Sequence, residues 1–151
     1  MYFITICAKD RFECFGEIKN GRMILNNPGK IAENLFLKIP NHFSSAFLDE
    51  FVIMSNHIHG IIEINVGNAY MRSLQSDRSK MLLSKVIHGY KSSVTREFNR
   101  LKKYNVDFKW QKSFYDHIIR NEISLNKIRE YIQTNPEMWK RDRNNVENLW
   151  M

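Results

Sequence analysis

Several things are missing from this chain of 151 residues, and each absence removes a class of protein. No apolar run approaches the roughly 20 residues that carry a helix across a bilayer, so no membrane association is expected. The opening Met1-Tyr-Phe-Ile-Thr-Ile-Cys7 has neither a basic leader nor a small-residue cleavage site. No signal peptide is therefore expected, and the expected location is cytoplasmic. Cysteine is scarce: Cys7 and Cys14 match no metal or redox spacing and read as reduced, ordinary thiols. Internal repeats and linkers are also absent, so residues 1–151 are expected to form a single domain. Acidic residues are in deficit. Against 16 Asp+Glu stand 23 Lys+Arg, and the resulting +7 favours polyanionic partners, nucleic acid first.

What is present argues for a folded globule. Hydrophobic residues make up 43% of the chain and aromatics 13%, more than a disordered chain carries. The organising stretch is Phe51-Val-Ile-Met-Ser-Asn-His-Ile-His-Gly-Ile-Ile-Glu-Ile64, two β-rich segments joined at Ser55-Asn56. Side chains alternate across a strand, so His57 and His59 share one face with Ile61 and Glu63, while Ile58, Ile62 and Ile64 line the other. Two imidazoles on a rigid strand can hold one divalent ion or grip one phosphate. They can equally be polar residues at a sheet rim, although burying both costs free energy unless each finds a partner. The pair alone leaves the two readings balanced.

The remaining elements follow from pattern. Tyr2 to Ala8 reads as a first strand, and Lys9-Asp10-Arg11 as a charged turn. Phe15 to Leu25 reads as a hairpin turning at Asn20-Gly21. A helix starts near Asn26-Asn27-Pro28, carries Ile31, Leu35 and Ile39, and stops at Pro40. A strand over Ala46 to Met54 precedes His57. The polar, aperiodic residues 66–80 predict a loop. The longest helix is predicted over Ser79 to Tyr104, with an apolar stripe of Leu83, Ile87, Tyr90, Val94, Phe98 and Leu101. Its Lys80, Lys85, Lys91, Arg96, Arg100, Lys102 and Lys103 form either a solvated face or a track for phosphates. Phe108 to Gln111 is extended, and Tyr115 to Arg120 leads into a last helix over Ser124 to Thr134. On that helix Tyr131 neighbours Asn135, four residues on. Pro136 ends or kinks it, and the tail after Trp139 is expected to be loosely held.

Three motifs then occur in order: Met54-Ser-Asn-His-Ile-His-Gly-Ile-Ile-Glu63, Trp110-Gln-Lys-Ser-Phe-Tyr-Asp-His-Ile-Ile-Arg-Asn121 and Tyr131-Ile-Gln-Thr-Asn-Pro136. With Tyr2-Phe-Ile-Thr-Ile-Cys7 and Gly89-Tyr-Lys-Ser-Ser-Val-Thr-Arg96, they make nearly the whole chain resemble the HUH single-tyrosine transposases, and among these the REP-associated tyrosine transposase group. The short polar segment that usually precedes the group's first strand has no counterpart here.

The resemblance implies an α+β, ferredoxin-like fold, an antiparallel sheet with helices packed on one face. It places the histidines on a central strand and the tyrosine on a helix across it. It implies His57, His59 and Asn135 as ligands of a divalent metal, Mg²⁺ or Mn²⁺, and Tyr131 as the nucleophile. The implied activity is metal-dependent nicking and joining of single-stranded DNA beside a hairpin, through a covalent phosphotyrosine, by a monomer or homodimer. Lys91, Arg96, Trp110 and Arg120 are candidate DNA contacts. Tyr115 is assigned to packing or DNA contact, and His117 to a hydrogen bond or to the neighbourhood of Tyr131.

Two rivals belong to other classes. His57-x-His59-x-x-x-Glu63 also fits the metal motif of cupin-type enzymes, but the further histidine and corner glycines of that barrel are wanting, and a long basic helix has no place in it. A non-catalytic nucleic-acid binder of the same descent is the other rival.

Overall fold

The computed structural model describes residues 1–67, 72–101 and 108–145. Its centre is a four-stranded antiparallel sheet of β1 (Tyr2–Cys7), β4 (Ala46–Ile53), β5 (His57–Ile64) and β6 (Tyr115–Ile118), in the order β4-β5-β1-β6. A separate hairpin pairs β2 (Gly16–Lys19) with β3 (Arg22–Leu25), turning at Asn20 and Gly21 as their positive φ angles of 53° and 72° require. The helices are α1 (Asn27–Leu37), the single turn α2 (Ile39–His42), α3 (Arg72–Arg100) and α4 (Glu122–Thr134).

Local chemistry sets the helix starts. Asn26 accepts from the Gly29 N–H with Pro28 in the first turn of α1, and Asn121 accepts from the Ser124 N–H at the start of α4. Pro40 does not stand beyond the helical run. It occupies the first turn of α2, where a missing N–H costs nothing, after α1 has ended at Leu37.

Cross-strand register fixes what each face of the sheet carries. Ile4, Ile6, Ile58 and Ile62 pack with Ala32 and Phe36 of α1 and with Leu83, Val86, Ile87 and Val94 of α3. The opposite face presents Phe3, Val52 and Ile61 to Leu125, Ile128 and Ile132 of α4. α1 and α3 therefore share one face, and the tyrosine-bearing α4 takes the other. The α+β antiparallel sheet is the one the sequence predicts, but the helices cover both of its faces rather than one, because Phe3, Val52 and Ile61 give the second face an apolar surface for α4.

Three local expectations are corrected. α3 begins at Arg72, inside the predicted loop; Ser76, Asp77 and Arg78 are exposed, so its first turns have no apolar stripe to betray them. It ends at Arg100, and Lys102, Lys103 and Tyr104 lie outside the described residues. β6 was not predicted as a strand. It pairs only with β1 at the sheet edge, and Tyr115-Asp-His-Ile118 has too little apolar character to stand out. Among the described residues, no helix is long and apolar enough to cross a membrane.

Candidate active site

The site begins with β5. His57 and His59 sit opposite Cys7 and Thr5 of β1, on the sheet face that α4 covers, and are 0% and 1% exposed. Their Nε2 atoms are 3.0 Å apart. Each Nδ1 has its own partner: Asn56 Oδ1 at 2.7 Å for His57 and Thr5 Oγ1 at 2.9 Å for His59.

These partners decide the tautomers. Asn56 Oδ1 can only accept, so His57 carries its proton on Nδ1 and turns the Nε2 lone pair toward His59. The Thr5 hydroxyl can donate or accept, so His59 follows its other nitrogen: it carries its proton on Nε2, donates to His57 Nε2, and accepts from Thr5 Oγ1 through Nδ1. Asn56 is itself fixed, because its Nδ2 donates to the carbonyls of Arg11 (3.2 Å) and Asn144 (2.8 Å).

Electrostatics keep both imidazoles neutral. Burial pushes His57 down to about 3, with Arg143 and Arg11 adding to the effect. Burial and then His57 hold His59 well below the ordinary histidine range, against a smaller opposing pull from Asp142. Neutral imidazole is the form that binds a metal.

α4 brings the other two groups. The Tyr131 hydroxyl lies 3.3 Å from His59 Nε2, and its ring stands edge-on to Phe3 at 6.0 Å. Tyr131 remains 43% exposed, so the phenol closes the buried pair yet faces outward. Burial and the Asp142 carboxylate raise its pKa, opposed by hydrogen bonding from Asn135 and by Arg143; at neutral pH it is a phenol. Asn135, one turn on, is buried. Its Nδ2 donates to Asp142 Oδ2 at 3.2 Å, while Oδ1 has no hydrogen-bond partner. An orphaned buried carbonyl oxygen is costly unless something electropositive meets it.

Asp142 was not anticipated. The ligand atoms of His57, His59 and Asp142 all lie within 4.8 Å of one another. The tail after Trp139 is correspondingly not loose as far as Asn145. Trp139 stacks on His57 at 5.9 Å, Arg11 donates to the Arg143 carbonyl at 2.8 Å, and the Asn144 N–H donates to Asp142 Oδ1 at 2.7 Å. Those anchors are mostly main-chain atoms and leave no hydrophobic pattern. The only hint in the sequence was Asp142-Arg143-Asn144, a pairing suited to an Asx-turn. The donor set of two imidazoles, an orphaned amide oxygen and a carboxylate suits a divalent cation.

The other candidates are placed elsewhere. Lys91 is partly buried and donates through Nζ to the carbonyls of Gln111 (2.8 Å) and Ser113 (3.5 Å). Trp110 packs against Phe15 and Phe108, and its indole N–H donates to the Lys91 carbonyl at 3.0 Å. Both side chains are thus engaged in holding the 110–113 segment to α3. Arg96 is exposed on α3, and Arg120 is exposed just before α4. His117 is exposed on β6, and Tyr115 meets Phe3 edge-on at 6.4 Å. Glu63 is exposed and stands outside the His57–His59–Asp142 cluster, so the cupin-like set is not assembled.

Two predictions arise here. Thr5→Val keeps the side-chain volume but strips His59 Nδ1 of its partner. Loss of such an orienting hydrogen bond costs on the order of 10–100-fold in metal affinity. Calorimetric titration with Mn²⁺ measures it, and unchanged affinity would show that Thr5 does not orient the ring.

The second concerns the seat of α4. Arg129 grips Asp49 of β4 with both ends of its guanidinium, at 2.8 and 2.6 Å, beside a register shift in the β4–β5 pairing. The Arg129 hydrogen bonds hold the Asp49 carboxyl below the usual carboxylate range. The pair therefore stabilises the fold above the unfolded pKa of about 4, and that contribution is lost as pH falls through the lower folded value. Asp49→Asn is expected to lower the urea midpoint at pH 7 and to flatten its decline below pH 4. Equal midpoints at pH 7 would show that the pair adds nothing.

No protein-family model matches the sequence. An uncharacterised protein of Haemophilus influenzae is 38% identical over 151 residues, an alignment covering 94% of this chain and 83% of that protein. Among solved structures, a REP-associated tyrosine transposase bound to a REP hairpin superposes with a TM-score of 0.59 at 18% identity, covering 99% of this chain and 68% of that one. That degree of likeness establishes a shared fold.

Proposed function

The chain belongs to one family with the uncharacterised Haemophilus influenzae protein and has the fold of the REP-associated tyrosine transposase; from that premise we propose that it is a cytoplasmic, metal-dependent single-stranded DNA endonuclease and strand transferase. The observation that carries the proposal is the Tyr131 hydroxyl 3.3 Å from His59 Nε2, beside the buried cluster of His57, His59 and Asp142, to whose carboxylate Asn135 donates. A hydroxyl nucleophile beside a set of metal donors is the pairing that phosphodiester cleavage requires.

In this reading Tyr131 Oη attacks the phosphorus. An Oη–P bond forms, the P–O3′ bond breaks, and the products are a 5′-phosphotyrosine and a free 3′-hydroxyl. The phosphoester energy is retained, so a second 3′-hydroxyl can reverse the step and join strands without ATP.

His57 and His59 through Nε2 and Asn135 through Oδ1, with Asp142 beside them, would hold Mg²⁺ or Mn²⁺, which when bound supplies stabilisation of the charge on the phosphoryl oxygens. Thr5 and Asn56 keep the imidazoles aimed. Arg143 favours the ionised tyrosine that the attack needs. Phe3 and Trp139 wall the histidines from water on two sides.

The test is incubation with an end-labelled single-stranded oligonucleotide carrying a hairpin, in Mg²⁺ and in Mn²⁺. The expected result is a label that migrates with the denatured protein. DNA binding without cleavage in either metal would identify a non-catalytic nucleic-acid binder instead.

A further inference from the structure

Just past the end of β1 lies a cleft of about 800 Å³ lined by Lys9, Asp10, Arg11, Lys109, Trp110, Gln111 and Lys112. Two segments distant in sequence build it. The Lys9 N–H donates to the Lys109 carbonyl and the Gln111 N–H to the Cys7 carbonyl, both at 2.9 Å, and Ala8 bridges to Trp110. These main-chain bonds fix the two walls. Lys9, Lys109 and Lys112 are exposed, and no ion pair neutralises them among the described residues.

The corner is unusual in its backbone. Asp10 and Arg11 are consecutive non-glycine residues at positive φ, 54° and 53°. Such strain is retained where the surrounding structure imposes it, often at a functional surface. Here it turns the chain so that the Arg11 side chain reaches the Arg143 carbonyl at 2.8 Å, while its own carbonyl accepts from Asn56 at 3.2 Å. Asn56 in turn holds His57. The cleft is therefore one residue removed from the buried imidazole.

We propose that this cleft is the track along which the sugar–phosphate backbone of a single-stranded nucleic acid runs to or from the His57–Tyr131 site. The inference rests on the function proposed above, and it assigns the strand's path to Lys9, Lys109 and Lys112, none of which was among the DNA contacts expected from the sequence. Unpaired lysines on a concave wall attract phosphates whatever the base sequence, and a flexible single strand follows a concave turn that a rigid duplex cannot. Lys91 and Trp110 keep the role described for them: they brace the 110–113 wall rather than meet the strand.

The experiment measures binding of a fluorescent single-stranded oligonucleotide across a salt series, alongside covalent adduct formation. It compares the wild type, the triple variant Lys9→Ala, Lys109→Ala, Lys112→Ala, and a control triple with the same charge change at exposed lysines that do not line the cleft, Lys30→Ala, Lys38→Ala, Lys80→Ala. Each lost phosphate contact removes about 0.7 from the slope of log affinity against log salt, so the cleft triple should lose about 2 from that slope and at least tenfold in affinity near 0.1 M salt. The control should lose less of both. Equal loss in the two triples overturns the track while leaving the proposed chemistry intact. A track effect with no adduct in the wild type refutes the chemistry and keeps the track. Wild-type binding to phosphatidylserine vesicles but not to the oligonucleotide overturns the track in favour of a lipid surface.

Discussion

Tyr131→Phe is expected to abolish covalent attachment of DNA while leaving folding and DNA binding at wild-type levels. The substitution removes one oxygen from a ring that is 43% exposed and whose packing partner, Phe3, touches the ring edge-on. The hydroxyl's 3.3 Å contact to His59, its hydrogen bonding with Asn135 and the proposed nucleophilic atom are lost. Removing a nucleophile that acts in concert with its neighbours typically costs 10⁴-fold or more in rate. Denaturing gel analysis of a labelled strand is the direct measurement, with melting temperature and anisotropy confirming that the variant is folded and binds. Persistence of the adduct would move the nucleophile elsewhere, and the half-exposed Tyr115 on the same sheet face would be the side chain to replace next.

Phe36→Ala is expected to have the largest effect on stability. Phe36 is fully buried on α1, 4.8 Å from the Phe51 ring and 5.3 Å, edge-on, from Tyr90. It also fills the space above Gly60, where an added Cβ would come within 2.8 Å of Phe36 Cζ. The ring thus bridges α1, α3, β4 and the strand that carries the histidines. Truncating such a side chain removes its transfer free energy and leaves a cavity, together about 3–5 kcal/mol. Urea unfolding with an unchanged m-value would report this directly. A loss below about 1 kcal/mol would mean that the helices close over the vacancy. Because that stability comes from the sheet face opposite the site, a variant that remains folded should still form the adduct.

Much of this was legible in the sequence, for identifiable reasons. The alternation around His57 and His59 placed both imidazoles on one face, because a strand offers no other arrangement. Helical spacing brought Tyr131 next to Asn135, and caps such as Asn26 marked where helices start. What escaped is equally physical. β6 has a single partner strand, so its residues carry little of the burial that makes strands recognisable. Asp142 reaches the histidines through a turn held by the carbonyls of Arg143 and Asn144, and every residue type has a carbonyl. Lys91 and Trp110 looked like ligands for DNA because each type has that capacity. Only the folded chain shows that the Lys91 ammonium and the indole N–H are committed to main-chain oxygens.

The alternation of β5 has a consequence for how this protein can change over generations. His57, His59, Ile61 and Glu63 form one message and Ile58, Gly60, Ile62 and Ile64 another, interleaved in eight positions yet addressed to opposite sides of the sheet. The even-numbered positions answer to the α1–α3 core, where Gly60 must stay small for Phe36. Of the odd-numbered ones, His57 and His59 answer to whatever occupies the site, Ile61 to α4 and Glu63 to solvent. Selection for a new substrate can therefore rewrite alternate letters without disturbing those between them. A lineage that lost catalysis should record it as drift at residues 57 and 59 beside unaltered isoleucines at 58 and 62.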